Sequence, residues 1–425
     1  MKILFCASDR PGHLATGPNA WIQRLVPDLI HQYGLNIHTL FFYSGDIENC
    51  PTISFFKNQQ LPLSTINKKN LYYVEDQVKA LLQVVKEKSV SIVVANLVIP
   101  AFYATPYLKK TGIPVIGVMH SNDQFYKGVI QKFIHGIKPN QLSASVAVSE
   151  CINQLCQNKS SSTQLQVIPC GTPLPNKTLE SPTSKQLKVM YAGRIVVEQK
   201  QILKLTKSFI ATSSCLPSLS FSIYGDGNEV DNVKQLLATP SPHRVNYKGA
   251  IAPSEMLEQF AQHHIFTLMS DYEGMPVSLM EAMACGLVPV CLKEKSGIDE
   301  IIEHGVNGFT VNNRQEDYLA KLKLLSEDEE LWKSMSQNAI KTIKNNYSSK
   351  ITHHKWADLL LGYKDFQPKK ITIPRWVKLK GELLHYGDHR KPSLKAQLNK
   401  KIKQQWLNLR LFLRPRARLR EVFNK

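Results

Sequence analysis

Asp271-Tyr-Glu-Gly-Met-Pro-Val-Ser-Leu-Met-Glu-Ala-Met-Ala-Cys-Gly286 follows directly on the apolar run Ile265 to Met269. The run reads as a buried strand, the next residues as a loop carrying Glu273, and the rest as a helix that starts near Pro276 and stops at Gly286. A strand feeding a helix through a short loop is the building unit of a parallel sheet. The amides near Met275, Pro276 and Val277, of which proline itself has none, stand at the positive end of that helix, a natural seat for phosphate. Glu281 projects deeper along it, seven residues separating it from Glu273. Two such carboxylates suit two different sets of vicinal hydroxyls, one of a sugar and one of a ribose. An acid near a helix start also serves as a plain dipole partner.

Upstream of this stretch the same arrangement recurs. Tyr191-Ala-Gly-Arg-Ile-Val-Val-Glu-Gln-Lys200 leaves a strand and opens a helix, which puts Arg194 and Lys200 at the carboxyl edge of the sheet, where ligands bind in such folds. Arg can fork two phosphate oxygens and Lys adds a mobile point charge, so the pair suits a diphosphate. A solvated pair of surface cations reads equally well from the spacing alone. Phe221-Ser-Ile-Tyr-Gly-Asp-Gly-Asn-Glu229 repeats strand, turn and helix start, with Gly225 and Gly227 permitting close backbone approach or simply a turn.

The whole chain of 425 residues follows this alternation. Strands are expected at Lys2 to Ala7, Asn36 to Phe42, Val90 to Ala95, Pro114 to Met119, Ser145 to Val148 and Gln166 to Ile168. A second series is expected at Leu187 to Ala192, Ser220 to Tyr224, Val245 to Tyr247, Ile265 to Met269, Val288 to Leu292 and Phe309 to Val311. Leu71 to Lys88 reads as a helix from apolar spacings of three and four. So does Asn19 to Tyr33, with a bend expected at Pro27. The series breaks at Pro173, Pro175 and Pro182. The expected division is therefore residues 1–173, a linker 174–186, a second domain 187–345, a closing helix 346–366 and a basic tail 367–425.

Apolar residues make up 43% and charged residues 20%, a folded composition that excludes a disordered chain. No run is long and apolar enough for a signal peptide core or a spanning helix, so a cytoplasmic location is expected, with contact to the inner membrane face through the tail. The eight cysteines form no metal-ligand spacing and are expected to be reduced and mostly buried. Net charge is +19, and residues 368–425 carry 17 Lys or Arg against three acids. Beside those cations stand Trp406, Leu407, Leu409, Leu411, Phe412 and Leu413, a combination that suits anionic lipid. A solvated tail or a nucleic-acid contact is the alternative, the latter disfavoured because no zinc spacing or RNA-binding motif accompanies the charge.

Gly-Arg followed by Glu-Gln-Lys, then Gly-Asp-Gly, then Glu-Gly-Met-Pro with a second Glu resembles glycosyltransferase family 4, in the same order, over residues 187–312. Val146-Ala-Val-Ser149 and Ile168-Pro-Cys-Gly171 are similar to family segments before the hinge. The resemblance implies an α/β protein of the GT-B type, two Rossmann-like doubly wound domains facing a central cleft, with a basic C-terminal extension. It implies a retaining transferase that moves a hexose from a nucleotide diphosphate sugar to a glycan or lipid-linked acceptor. Arg194 and Lys200 would hold the diphosphate, Glu273 the sugar and Glu281 the ribose. Gly17, Gly225, Met275 and Val277 would lie at the donor. His120 resembles the family's cleft histidine and, with Glu273, is the expected catalytic pair.

The loop Gly12-His-Leu-Ala-Thr-Gly17 departs from the family in lacking paired glycines. No cofactor is expected, and without an Asp-x-Asp pair no divalent metal is expected either, the cations and helix amides taking its place. An inverting transferase or a nucleotide-sugar epimerase shares the architecture. A non-catalytic binding protein is disfavoured by the presence of Arg194, Lys200, Glu273 and Glu281 together.

Overall fold

The computed structural model describes residues 1–12, 17–175, 186–239, 243–294, 296–366, 369 and 371–379. Seven strands form the first sheet: β1 (Ile3–Asp9), β2 (Ile37–Tyr43), β3 (Leu63–Asn67), β4 (Ile92–Asn96), β5 (Val115–Met119), β6 (Ala144–Ala147) and β7 (Gln164–Val167). Six form the second: β8 (Lys188–Ala192), β9 (Ser220–Tyr224), β10 (Val245–Gly249), β11 (Ile265–Leu268), β12 (Val288–Leu292) and β13 (Phe309–Val311). All pairings are parallel, in the orders β3-β2-β1-β4-β5-β6-β7 and β10-β9-β8-β11-β12-β13. Every residue of β4, β5 and β12 is buried, as expected of parallel strands covered by helices on both faces.

Strand order reverses at β1/β4 in the first sheet and at β8/β11 in the second. Chains leaving the carboxyl ends on either side of such a point diverge and open a crevice. Asp9, at the end of β1, is buried and accepts hydrogen bonds from the amides of Thr52 and Ile53 at 2.8 and 2.9 Å, tying the lip of the first crevice to the helix Pro51–Asn58.

The expected strands all appear, with ends shifted by one or two residues. β3 is the addition, a short edge strand in which only Ile66 is buried. The helix Val74–Glu87 buries the expected stripe of Val78, Leu81, Leu82 and Val85. The helix Gly17–His31 runs through Pro27. The expected linker lies outside the described residues over 176–185.

The C-terminal helix Ser349–Leu361 differs from expectation. It was expected to close the second domain and instead packs on the first, with Trp356 fully buried 5.5 Å from Trp21 and 6.2 Å from Phe5, ring to ring. Asp28 anchors it through a 2.7 Å bond to Nδ1 of His353. The chain crosses between the sheets beside Thr172, which bonds the backbone of Tyr347 and Ser349 at 2.9 and 2.8 Å. Beyond the helix, residues 369 and 371–379 lie along the first domain. Lys369 donates to the Thr111 carbonyl, and the Tyr107 hydroxyl bonds both backbone groups of Lys378. The remaining residues of the expected tail lie outside the described ones.

Candidate active site

The two switch points meet across a seam. His120 directly follows β5, and its carbonyl lies so close to Gly274, in the loop after β11, that a Cβ at 274 would collide with it. Gly274 is itself packed on Gly297, where a Cβ would strike the Gly274 carbonyl. Two glycines thus let three backbone segments converge where the sheets face each other. Glu300 adds a second crossing: its carboxylate accepts from the amides of Glu150 and Cys151, at 2.8 and 2.7 Å, capping a helix of the other domain.

On the second domain the expected residues gather at β8/β11. Lys200 and Glu273 form an ion pair, their side chains only 11% and 7% exposed. Gln199 bridges outward, its amide donating to Oε2 of Glu273 at 3.3 Å and to the Tyr272 carbonyl at 3.0 Å, and its carbonyl oxygen accepting from Arg194. Arg194 is further placed by the Tyr191 hydroxyl, 2.7 Å from the Arg194 carbonyl. Gln201, next to Lys200, holds a left-handed φ of 50° although it is not glycine, and its side chain donates to Asp271, which also pairs with Arg314. A non-glycine residue in that region persists only when its surroundings insist on it.

Gly225 has a structural task. At φ 140°, a Cβ there would collide with the Gly193 carbonyl, and Ile195 donates to the Asp226 carbonyl at 2.8 Å. The Gly-Asp-Gly turn therefore braces the loop that carries Arg194. Met275 is buried at the entry to the helix Val277–Ala284, with Pro276 at its cap and Val277 half-buried. Gly17 begins the helix Gly17–His31, with open space where a Cβ would stand; residues 13–16 before it lie outside the described ones.

His120 does not present a free ring. Nε2 is 2.7 Å from Oδ1 of Asn96, Nδ1 faces the Cys170 thiol at 3.9 Å, and the ring packs edge-on to Trp21 at 5.1 Å. Bonding to a carboxamide oxygen assigns the proton to Nε2. Burial pulls its pKa down to about 3 and pushes that of Cys170 up to about 12, so the imidazole is neutral and the thiol protonated. The group facing the seam is the His120 carbonyl.

Glu281 carries a contact that sequence reasoning missed. Its Oε1 pairs with Nη2 of Arg24, from the helix Gly17–His31 of the other domain. The two residues are 257 apart in sequence, and no local pattern links them.

Two facing doubly wound domains with their ligand-binding edges at one seam define the GT-B class. Residues 177–342 match the family described as glycosyl transferases group 1, and the protein is a glycosyltransferase. It is 24% identical over 274 residues to the O-antigen biosynthesis glycosyltransferase WbnH of Escherichia coli, spanning 63% of this chain and 77% of that one. A segment of 149 residues, 35% of this chain and 29% of the other, is 29% identical to the UDP-N-acetylglucosamine–peptide N-acetylglucosaminyltransferase GtfA subunit of Streptococcus pneumoniae. Among solved structures, Anabaena Alr3699/HepE in complex with UDP and glucose superposes with a TM-score of 0.68 at 18% identity, covering 85% of this chain and all of that one. The pneumococcal O-GlcNAc transferase GtfA with UDP and GlcNAc gives 0.68 at 13%, covering 85% and 99%.

Proposed function

We propose that the protein transfers a hexose, with retention of anomeric configuration, from a nucleoside diphosphate sugar to a glycan or lipid-linked acceptor in the synthesis of a cell-surface polysaccharide. The observation that carries this reading is the buried Lys200–Glu273 pair, joined through Gln199 to Arg194 at the carboxyl edge of the second sheet. Each cation rests on a partner of its own protein. A diphosphate bearing two negative charges competes for Lys200 and Arg194, and the carboxylate it releases is free to accept from sugar hydroxyls. The same cations stabilise the departing diphosphate as the glycosidic bond breaks, which is charge stabilisation by fixed groups.

Retention follows from which bases are on hand. The neutral ring of His120 is committed to Asn96 and Cys170, and Glu273, once the diphosphate has drawn Lys200 away, is taken up by the sugar hydroxyls and stays bonded to Gln199. The leaving phosphate oxygen is then the base nearest the acceptor hydroxyl, on the face it leaves from. Arg194, Lys200 and the amides at the start of Val277–Ala284 supply the positive charge that a divalent metal supplies elsewhere, so activity in a chelator is expected. The relationship to an O-antigen enzyme supports a polysaccharide acceptor.

Membrane contact is the remaining part of the reading. No helix of the described residues is long and apolar enough to cross a membrane. The strap 371–379 carries the chain to the outside of the first domain, where Trp376 is 71% exposed beside Arg375, and the basic residues beyond it start from there. An aromatic beside cations suits an anionic lipid surface.

The deciding experiment incubates the protein with a panel of UDP-, GDP- and ADP-hexoses and follows donor hydrolysis by NMR. Release of the sugar first as the donor's own anomer supports retention. Release of the opposite anomer, or isomerisation of the sugar without release, removes it.

A further inference from the structure

We propose that Arg24 is a donor-binding residue lent by the first domain, contacting the nucleoside diphosphate across the seam. This rests on the donor-site reading above. Arg24 stands in the second turn of the helix Gly17–His31, one turn beyond Trp21, whose ring packs on His120 at the seam. Its Nη2 pairs with Glu281 of the other domain, yet its Nη1 is buried and has no hydrogen-bond partner. A guanidinium nitrogen shut away from water without an acceptor is costly, and proteins retain such groups where a ligand supplies the acceptor.

Among the described residues no protein group fills that role. Asp28, one turn further along the same helix, is committed to His353 at 2.7 Å. Burial chiefly sets the neighbouring titratable groups, lowering His353 and raising the Cys170 thiol, and the Arg24 charge bears on both as a lesser influence. Were the Arg24–Glu281 pair only a latch, a second carboxylate or an exposed Nη1 would complete it.

Charge points the same way. Glu273 and Glu281 cancel Arg194 and Lys200, leaving a neutral site for an anion. Arg24 makes the balance positive. Because it belongs to the other domain, the gain appears only when the domains are together, so the diphosphate itself rewards closure.

The test is titration calorimetry of the full chain with UDP, GDP and ADP, taking the nucleotide that wild type binds most tightly. The variants are Arg24→Met, Arg24→Lys, Glu281→Gln, Lys200→Met and the double Arg24→Met/Glu281→Gln, each checked for folding by thermal melting. Arg24→Met is expected to weaken binding about tenfold, the size of one charge-assisted hydrogen bond, in both the wild-type and the Glu281→Gln backgrounds. Arg24→Lys should recover part of the loss. Equal affinity of wild type and Arg24→Met, or a loss that vanishes once Glu281 is already replaced, overturns the proposal, since Arg24 then acts only through Glu281. Loss in Lys200→Met with none in Arg24→Met leaves the donor site standing and removes Arg24 from it. Loss in Arg24→Met with none in Lys200→Met keeps Arg24 and removes the reading of Lys200. Failure of wild type to bind any of the three sinks both.

Discussion

Lys200 and Glu273 are the residues on which the proposed chemistry turns, and their burial makes them sensitive to loss of either partner. Glu273→Gln keeps the shape of the side chain but removes the charge that answers Lys200 and the acceptor for sugar hydroxyls. Turnover is expected to fall about 10²- to 10³-fold, with less effect on nucleotide affinity, in steady-state donor hydrolysis; an unchanged rate would remove Glu273 from the chemistry. Gly274→Ala acts differently, since its Cβ would enter the space of the His120 carbonyl across the seam. Activity should drop at least about tenfold while each domain stays folded, seen as lost turnover with unchanged far-ultraviolet circular dichroism. The buried histidines set the acid response. Burial lowers the pKa of His120 to about 3 and those of His38 and His264 to about 4, against an unfolded value of 6.5. The unfolded chain therefore binds more protons below pH 6.5, and stability should be fully present above that pH and decline as pH falls toward 4. Melting temperatures at pH 7.5, 6 and 5 check the sign; a rise on acidification contradicts it.

Among the elements, the C-terminal helix Ser349–Leu361 couples chain end to chain start. Its Trp356 is wholly buried against Trp21 and Phe5, and Trp21 in turn packs on His120. Trp356→Ala should cost about 3–5 kcal/mol in urea unfolding and also lower activity, because the cavity lies under the helix that carries Arg24. A stable variant with full activity would show that the helix can be lost from this place without disturbing the seam. The amphipathic periodicity of this segment announces a helix but not the surface it covers. A stripe of apolar residues is satisfied by any apolar partner, and the nearer domain was the natural expectation. The edge strand β3 escaped notice for a related reason: with one face open to water, Leu63–Asn67 lacks the continuous apolar run that reveals central parallel strands.

For the whole molecule, Glu300 with the Glu150 and Cys151 amides, Arg24 with Glu281, and Gly274 with His120 are all contacts between domains. Interfaces of this polar kind open readily, so the seam is expected to widen without donor and close with it. Small-angle scattering should report a smaller radius of gyration with UDP bound, and the Glu300→Ala variant should remain more open at the same nucleotide concentration; identical radii for all samples would refute the coupling. At this scale belongs also the basic C-terminal segment. Ending the chain at residue 379 should abolish flotation with phosphatidylglycerol vesicles at low salt and spare hydrolysis of the donor. Retained flotation would move the lipid contact elsewhere.

Most of the architecture was legible along the chain because parallel strands buried on both faces must be written as apolar runs, and helices between them as stripes. That Arg194, Lys200, Glu273 and Glu281 stand on the segments following β8 and β11 was legible too, since the ends of those strands are readable as apolar runs. What tertiary structure alone decided is whom these residues meet. Arg24 is an ordinary cation on an amphipathic helix until the second domain brings Glu281 to it. The His120 ring turns inward to Asn96 and Cys170 and leaves its carbonyl at the seam, and Ser349–Leu361 returns to the first domain instead of closing the second. Local sequence sets what a segment can form, whereas contacts between residues hundreds of positions apart are set by how two finished surfaces fit, and no spacing along the chain encodes that fit.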